Sequence, residues 1–154
     1  MTKEKNKRCA LRLFQKHNFE NSKQAGLCLQ LEYLGSGAFR DAYRIAHTDL
    51  LVKFPLGHDG KVHSRAEMRK IQKLRGYPFL KKHLPPVYYW NSKTGVLVTK
   101  YYPHAKLRRT WDAMGVVIGE LLKNLVGVEH TDLWSGADNV RMDNGYLVFT
   151  DLGY

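Results

Sequence analysis

Residues 27–54 alternate apolar and polar side chains around a pair of closely spaced glycines, and that pattern constrains the fold more than any other stretch. Leu27, Leu29, Leu31 and Tyr33 recur at every second position, the period of a half-buried strand. Gly35-Ser36-Gly37 comes next as a turn, and residues 42–46 read as a second strand. The run Leu50-Leu51-Val52-Lys53-Phe54, closed by Pro55, predicts a third. Residues 57–60, bounded by glycines, are expected to form a loop.

A helix is expected over residues 64–75, with Ala66, Ile71 and Leu74 apolar and Ser64-x-x-Glu67 in capping-box spacing. Pro78, Pro85 and Pro86 punctuate residues 76–86. Strands are predicted over 87–90 and 95–101, joined by Asn91-Ser92-Lys93-Thr94. Trp111, Met114, Val117, Ile118, Leu121, Leu122 and Leu125 fall at helical spacing and predict a buried helix, the core of a small second lobe. Residues 139–142 and 146–150 flank Asp143-Asn144-Gly145, a hairpin signal because Asn-Gly tolerates positive φ. Three strands, a helix, two strands, a helix and a hairpin make an α+β pattern with a mainly antiparallel sheet in front.

The 154 residues suit one domain, a length at which roughly 68–70% of the unfolded surface is buried. The first 24 residues are polar and basic, an amino-terminal arm with a short helix expected around 10–16. No apolar run approaches the ~20 residues of a membrane span, and the charged start leads into no apolar signal segment. Cys9 and Cys28 lack metal-ligand spacing and read as reduced thiols of a cytoplasmic protein. The seven histidines form no metal-spaced cluster, and His130 reads as bracing its loop.

The net charge of +11 is unevenly spread. Lys61, Arg65, Arg69, Lys70, Lys73, Arg75, Lys81 and Lys82 face only Glu67 within residues 61–82, whereas Glu129, Asp132, Asp138, Asp143 and Asp151 dominate 128–151. A basic front and an acidic tail suit a cleft for polyphosphate and divalent metal, although a charge run is most commonly a solvated face. The charge also suits an acidic protein partner. Nucleic acid is a weaker expectation, since no aromatic-interleaved platform accompanies the basic residues.

Five features carry chemistry. Gly35 and Gly37 allow backbone to approach a phosphate, although a Gly-x-Gly alone is usually a tight turn. Lys53, in an apolar strand, holds an ammonium that is expensive to bury without an anion. Glu67 could orient that ammonium or merely complete the cap. Asp132, after His130, could accept a hydroxyl proton, a role worth about 10²–10⁴-fold, and Asp151 could bind Mg²⁺ through carboxylate oxygen.

In this order the motifs resemble those of protein kinases, from about residue 31 to residue 154. Leu34-Gly35-Ser36-Gly37-Ala38-Phe39-Arg40-Asp41-Ala42-Tyr43 is similar to the glycine-rich loop, Leu51-Val52-Lys53 to the strand bearing the ATP-binding lysine, and Glu67 to its helix glutamate. Residues 96–103 resemble the strand and hinge that receive adenine, with Thr99 at the gatekeeper position and backbone near Lys100–Tyr102 as the adenine site. His130-Thr131-Asp132-Leu133 resembles the catalytic loop, and Asp151-Leu152-Gly153 the metal-binding Asp-Phe-Gly. The pattern is closest to small bacteriophage kinases, whose Asp-x-His-Ser-Gly-Asn precedes an Asn-Gly hairpin and a Thr-Asp.

The resemblance implies a minimal bilobal kinase-like fold: residues 25–101 as N-lobe, an antiparallel sheet plus helix, and 102–154 as a reduced helical C-lobe ending in the hairpin. It implies ATP and Mg²⁺ as cofactors, Lys53, Glu67 and Asp132 as catalytic residues, Gly35, Gly37, Lys53, Lys100 and Tyr102 against the nucleotide, and Asn139 and Asp151 on metal. The implied reaction is phosphoryl transfer to a protein serine or threonine; a pseudokinase acting by binding and a small-molecule phosphotransferase are the alternatives. Three departures stand out. Arg40 replaces the third glycine. Ala137 sits where the metal asparagine belongs, so Asn139 requires a two-residue insertion, with Asp138 as alternative. The activation segment and later peptide-docking helices of the family are absent from these residues.

Overall fold

A computed structural model describes residues 1–103, 120, 123–124, 127, 140–143 and 146–150. The expected buried helix over 111–125, apart from Glu120, Lys123 and Asn124, which are helical, lies outside the described residues. Contacts cluster into two units, Met1–Arg65 with Pro86–Tyr101 and Ala66–Pro85 with Tyr102–Tyr154.

The first unit is built on a five-stranded antiparallel sheet of order β1-β2-β3-β5-β4, formed by β1 (Leu31–Ser36), β2 (Arg40–Ile45), β3 (Leu50–Pro55), β4 (Val87–Trp90) and β5 (Leu97–Lys100). Side chains alternate across a strand, so Leu50, Val52 and Phe54 of β3 share one face. They join Ile45, Val96 and Val98 in the core. Leu51, Lys53 and Pro55 belong to the other face.

Helix α1 (Lys3–His17) supplies Ala10 and Phe14 to that core, with Phe19 and Ala25 following. Thr2 caps it, accepting from the Lys5 N–H at 3.3 Å, and Asn18 ends it in the left-handed region with φ 48°. Glu4 in the first turn and Lys16 and His17 in the last complement the helix dipole. Both ends are tied down. Lys7 lies 3.3 Å from Asp49 and over the Tyr88 ring, and the Tyr89 hydroxyl donates to Asn18 at 3.1 Å. Burial by itself lowers the Lys7 pKa, but hydrogen bonding to Tyr88 and Asp49 outweighs it, and the net shift is upward from 10.5. Residues 1–24, read from sequence as a polar arm, thus place Ala10, Phe14 and Phe19 in the core. The helix also starts seven residues before the expected 10–16, because its buried positions are too sparse to show among basic neighbours.

Three other expectations are corrected. The strand predicted from Leu27 begins at Leu31. Asn21 caps a short helix, α2 (Ser22–Gly26), and the chain turns at 27–29, leaving Leu27 exposed. Gly35 lies within β1, opposite Ala42, rather than in the turn. Finally, the loop expected at 57–60 is the start of α3 (Gly57–Arg75). Gly57, at φ +64°, turns the chain directly from β3 into the helix, and the Gly60 backbone packs so tightly on the Phe39 carbonyl and Pro55 that no Cβ fits there.

In the second unit, Met68, Ile71 and Leu74 of α3 are buried at spacing three and three. A 3₁₀ helix unforeseen from sequence, Pro78–His83, starts with proline at its first positions. Strands β6 (Val140–Asp143) and β7 (Tyr146–Phe149) pair antiparallel, with Asp143 opposite Tyr146. The expected hairpin therefore forms, one residue later at its start. The His83 Nδ1–H donates to the Leu147 carbonyl at 2.7 Å, and Lys82 stands over the Tyr146 ring. Among the described residues, no helix is long and apolar enough to cross a membrane.

Candidate active site

Lys53 sits near the middle of β3, only 6% exposed, opposite Ala42 of β2 and Leu97 of β5. Ala42 is in turn opposite Gly35 of β1, so Gly35, Ala42, Lys53 and Leu97 form one cross-strand row. Directly opposed residues project to the same face, which places Lys53 away from the apolar core, beside the two smallest side chains of the row. Desolvating an ammonium is expensive unless negative charge meets it. Lys53 makes an interaction within the chain, and its low exposure is not that of a strand-end lysine reaching to water.

Gly37 lies in the tight turn that joins β1 to β2. Neither Gly35 nor Gly37 has a left-handed backbone. A Cβ on Gly35 would meet nothing within 4 Å, and one on Gly37 only the Arg40 carbonyl at 3.8 Å. The fold itself therefore does not demand glycine at either position, yet glycine in a strand costs conformational entropy. What both positions provide is backbone uncovered on its outer side. The turn is held from within, since the Gly37 N–H donates to the Arg40 carbonyl at 2.9 Å and the Ser36 hydroxyl donates to the Asp41 carboxylate. It is also anchored from behind, where the Leu56 N–H donates to the Phe39 carbonyl at 2.7 Å and the Phe39 ring stacks on His63 at 4.8 Å.

Glu67 occupies the interior of α3, where it is 1% exposed. The capping-box reading fails, because α3 begins at Gly57 and Ser64 lies inside the helix, fully buried with its Oγ lacking a hydrogen-bond partner among the described residues. A carboxylate so deeply buried requires a cation or donors to stay charged, and Glu67 makes an interaction within the chain.

At the end of β5, Thr99 is buried opposite Leu51 and Lys100 lies opposite Leu50. The Lys100 N–H donates to the Pro86 carbonyl at 3.2 Å and the Tyr101 N–H to Asp49 at 2.7 Å. Both donors are occupied within the protein, the Thr99 hydroxyl donates to the Lys100 carbonyl at 3.5 Å, and Tyr102 is buried. Arg44, on the same sheet face as Lys53, is 3.7 Å from Glu32 and donates to the Thr48 carbonyl at 3.3 Å.

The structure thus brings Gly35 and Lys53 into one row, with Gly37 two residues beyond in the adjoining turn. Asp132, Asn139 with its alternative Asp138, and Asp151 lie outside the described residues. Among the described residues, no group of three or more His, Cys, Asp or Glu could hold a metal ion. Sequence reading missed the position of Arg40, which is 7% exposed on the Lys53 face. The period of β2 contained that signal, but only the register with β3 gives it meaning.

No protein-family model matches this sequence, and no curated protein does. Among solved structures, the chain is similar to the ternary complex of streptomycin, ATP and APH(2'')-IIa, with TM-score 0.41 and 21% identity over 67% of this chain and 36% of that one. It is also similar to ADP-bound aminoglycoside phosphotransferase APH(2'')-Ib, with TM-score 0.40 and 21% identity over 79% of this chain and 41% of that one. The chain spans well under half the length of either.

Proposed function

We propose that this chain binds ATP and transfers its γ-phosphoryl group to a hydroxyl. The observation that carries the reading is a buried lysine on the sheet face opposite the core, in a row with Gly35 and Ala42, where neither Gly35 nor Gly37 of the adjoining turn is a glycine that the fold needs. A buried cation beside uncovered backbone fits a polyphosphate, whose charge meets the desolvated ammonium and whose oxygens can approach N–H groups closely. Lys53 holds the phosphates, and Glu67, a buried carboxylate with no capping role, orients the ammonium. Backbone near Lys100–Tyr102 receives the adenine.

Asp132 is assigned as the group that orients the acceptor hydroxyl and takes its proton at a carboxylate oxygen. Asn139 and Asp151 are assigned to Mg²⁺, which neutralises phosphate charge when bound. The acceptor is proposed to be a protein serine or threonine, on the resemblance of His130-Thr131-Asp132-Leu133 to a kinase catalytic loop.

The test is transfer of label from γ-labelled ATP with Mg²⁺ to the protein itself, to a cell lysate and to a panel of small hydroxyl compounds including aminoglycosides. Asp132→Ala and Lys53→Met are run beside the wild type. Protein bands whose labelling requires both residues support the reading. Label confined to a small molecule corrects the acceptor, and no label from a folded protein that binds ATP reduces it to a nucleotide-binding module.

A further inference from the structure

Helix α1 carries Lys3, Lys5, Lys7, Arg8, Arg12 and Lys16 against Glu4 alone. Lys7, which is partly buried, is paired with Asp49. Lys5, Arg8, Arg12 and Lys16 are exposed, and none of the four makes an ion pair among the described residues. Their spacing of three, four and four puts them within about 80° of arc, on the side of the helix opposite Ala10 and Phe14. The row is about 16 Å long at 1.5 Å per residue.

Such a row works against the helix. Like charges three and four apart repel, and Lys5 stands in the first turn, where the helix dipole disfavours a cation. The basic run at 61–82 differs, because the fold uses several of its members. Arg65 and Arg75 donate to the Ser92 and Pro85 carbonyls, Lys82 lies over the Tyr146 ring, and Lys70 makes an interaction within the chain. Water alone satisfies an exposed cation; what sets α1 apart is a row of single sign on a helix pinned to the sheet by Lys7 and Asn18.

The rest of this face selects the partner. Cys9 and Gln15 lie beside the four cations, so no large apolar side chain is there to anchor a protein interface, whose buried centre is apolar and aromatic. A lipid surface would take up the apolar side of the helix, which is already buried in the core. A phosphate backbone needs neither. One strand of a duplex presents a phosphate about every 3.4 Å of axis, or about five over 16 Å. Aromatic platforms hold unpaired bases, and their absence does not weaken contact with a duplex.

We infer that the outer face of α1 is a docking surface for the phosphate backbone of double-stranded nucleic acid, contacted by Lys5, Arg8, Arg12 and Lys16 without regard to base sequence. Because α1 packs on the sheet face opposite Lys53, this surface and the ATP reading stand or fall separately.

The experiment follows the anisotropy of labelled duplexes of about 20 base pairs, one DNA and one RNA, and of labelled polyglutamate, titrated with the full chain at about 50 to 200 mM salt. Four phosphate contacts predict a slope of about −3.6 in log K against log salt for DNA, roughly a 150-fold loss over that range. Lys5→Gln, Arg8→Gln, Arg12→Gln and Lys16→Gln together are expected to remove that slope, and Arg12→Gln alone to reduce it by about 1. Thermal midpoints should equal or exceed wild type. The control, Arg69→Gln, Lys73→Gln, Lys81→Gln and Lys82→Gln together, removes the same charge elsewhere and should keep the slope. The DNA and RNA arms identify which duplex is bound, and binding of either with this dependence on α1 supports the assignment. Equal loss in the control makes the effect one of net charge and overturns it, as does failure to bind either duplex at the lowest salt. Tighter binding of polyglutamate than of both duplexes assigns the face to an acidic protein instead. If the fourfold variant does not fold, an unchanged slope in Arg12→Gln sinks the proposal.

Discussion

Replacing Phe14 by alanine tests whether the amino-terminal helix belongs to the domain. Phe14 is fully buried, with ring centroids 5.2 Å from Phe19 and 5.5 Å from Tyr89. Removing a buried phenylalanine costs about 3–5 kcal/mol, combining lost transfer energy with the cavity left behind. Against a typical domain stability of about 5–15 kcal/mol, that is a large fraction. With a urea m-value of about 2 kcal/mol per molar, within the usual range, the unfolding midpoint should fall by roughly 2 M. The assay is urea unfolding followed by circular dichroism and by aromatic fluorescence, with Phe14→Leu as a control expected to lose less than about 1.5 kcal/mol. Because Phe14 packs on the face of β3 opposite Lys53, ATP affinity of the folded fraction should not change. A midpoint shift below about 0.5 M, little more than the cost of a surface substitution, would refute the reasoning. Residues 1–24 would then be an appendage.

Gly35→Ala separates folding from binding: its Cβ meets nothing within 4 Å in the protein, so stability should hold or rise by about 0.4–1 kcal/mol while ATP affinity falls. Retained ATP affinity in that titration would mean that no phosphate approaches this backbone. Lys7 contributes an alkaline signature. Its folded pKa is raised, so its stabilisation is fully present below 10.5 and is lost as pH climbs through the raised value. The wild-type advantage over Lys7→Met, under about 1 kcal/mol for a pair so near the surface, should be seen in urea midpoints at neutral pH and vanish well above 10.5; an advantage that grows with pH contradicts it.

Where periodicity is strong and local, the sequence is a good guide. Leu50-Leu51-Val52-Lys53-Phe54 forms the expected strand, as do residues 87–90, because short runs rich in apolar, β-branched or aromatic side chains favour extended backbone. Asp143 and Tyr146, on either side of the Asn-Gly signal, likewise pair antiparallel. Signals that several structures share are less reliable. Ser64-x-x-Glu67 has the spacing of a cap, yet lies inside a helix whose start depends on Gly60 fitting beneath the Phe39 carbonyl, a contact across 21 positions. The apolar alternation from Leu27 follows directly on α2, where the Leu27 N–H donates to the Gln24 carbonyl and the Cys28 and Leu29 N–H groups to the Ala25 carbonyl, a turn that outweighs the pattern for those residues.

The sequence by itself determined that a lysine would lie in an apolar strand after a glycine pair, since side-chain type and spacing along a strand are local properties. Only the tertiary structure decided which residues share its face. The slip in register between Tyr33 and Gly35, and the pairing of Ala42 with Lys53, set that row and put Arg40 beside it. Register depends on contacts between segments far apart in the chain, and shifting it by one residue would turn every one of those side chains to the opposite face.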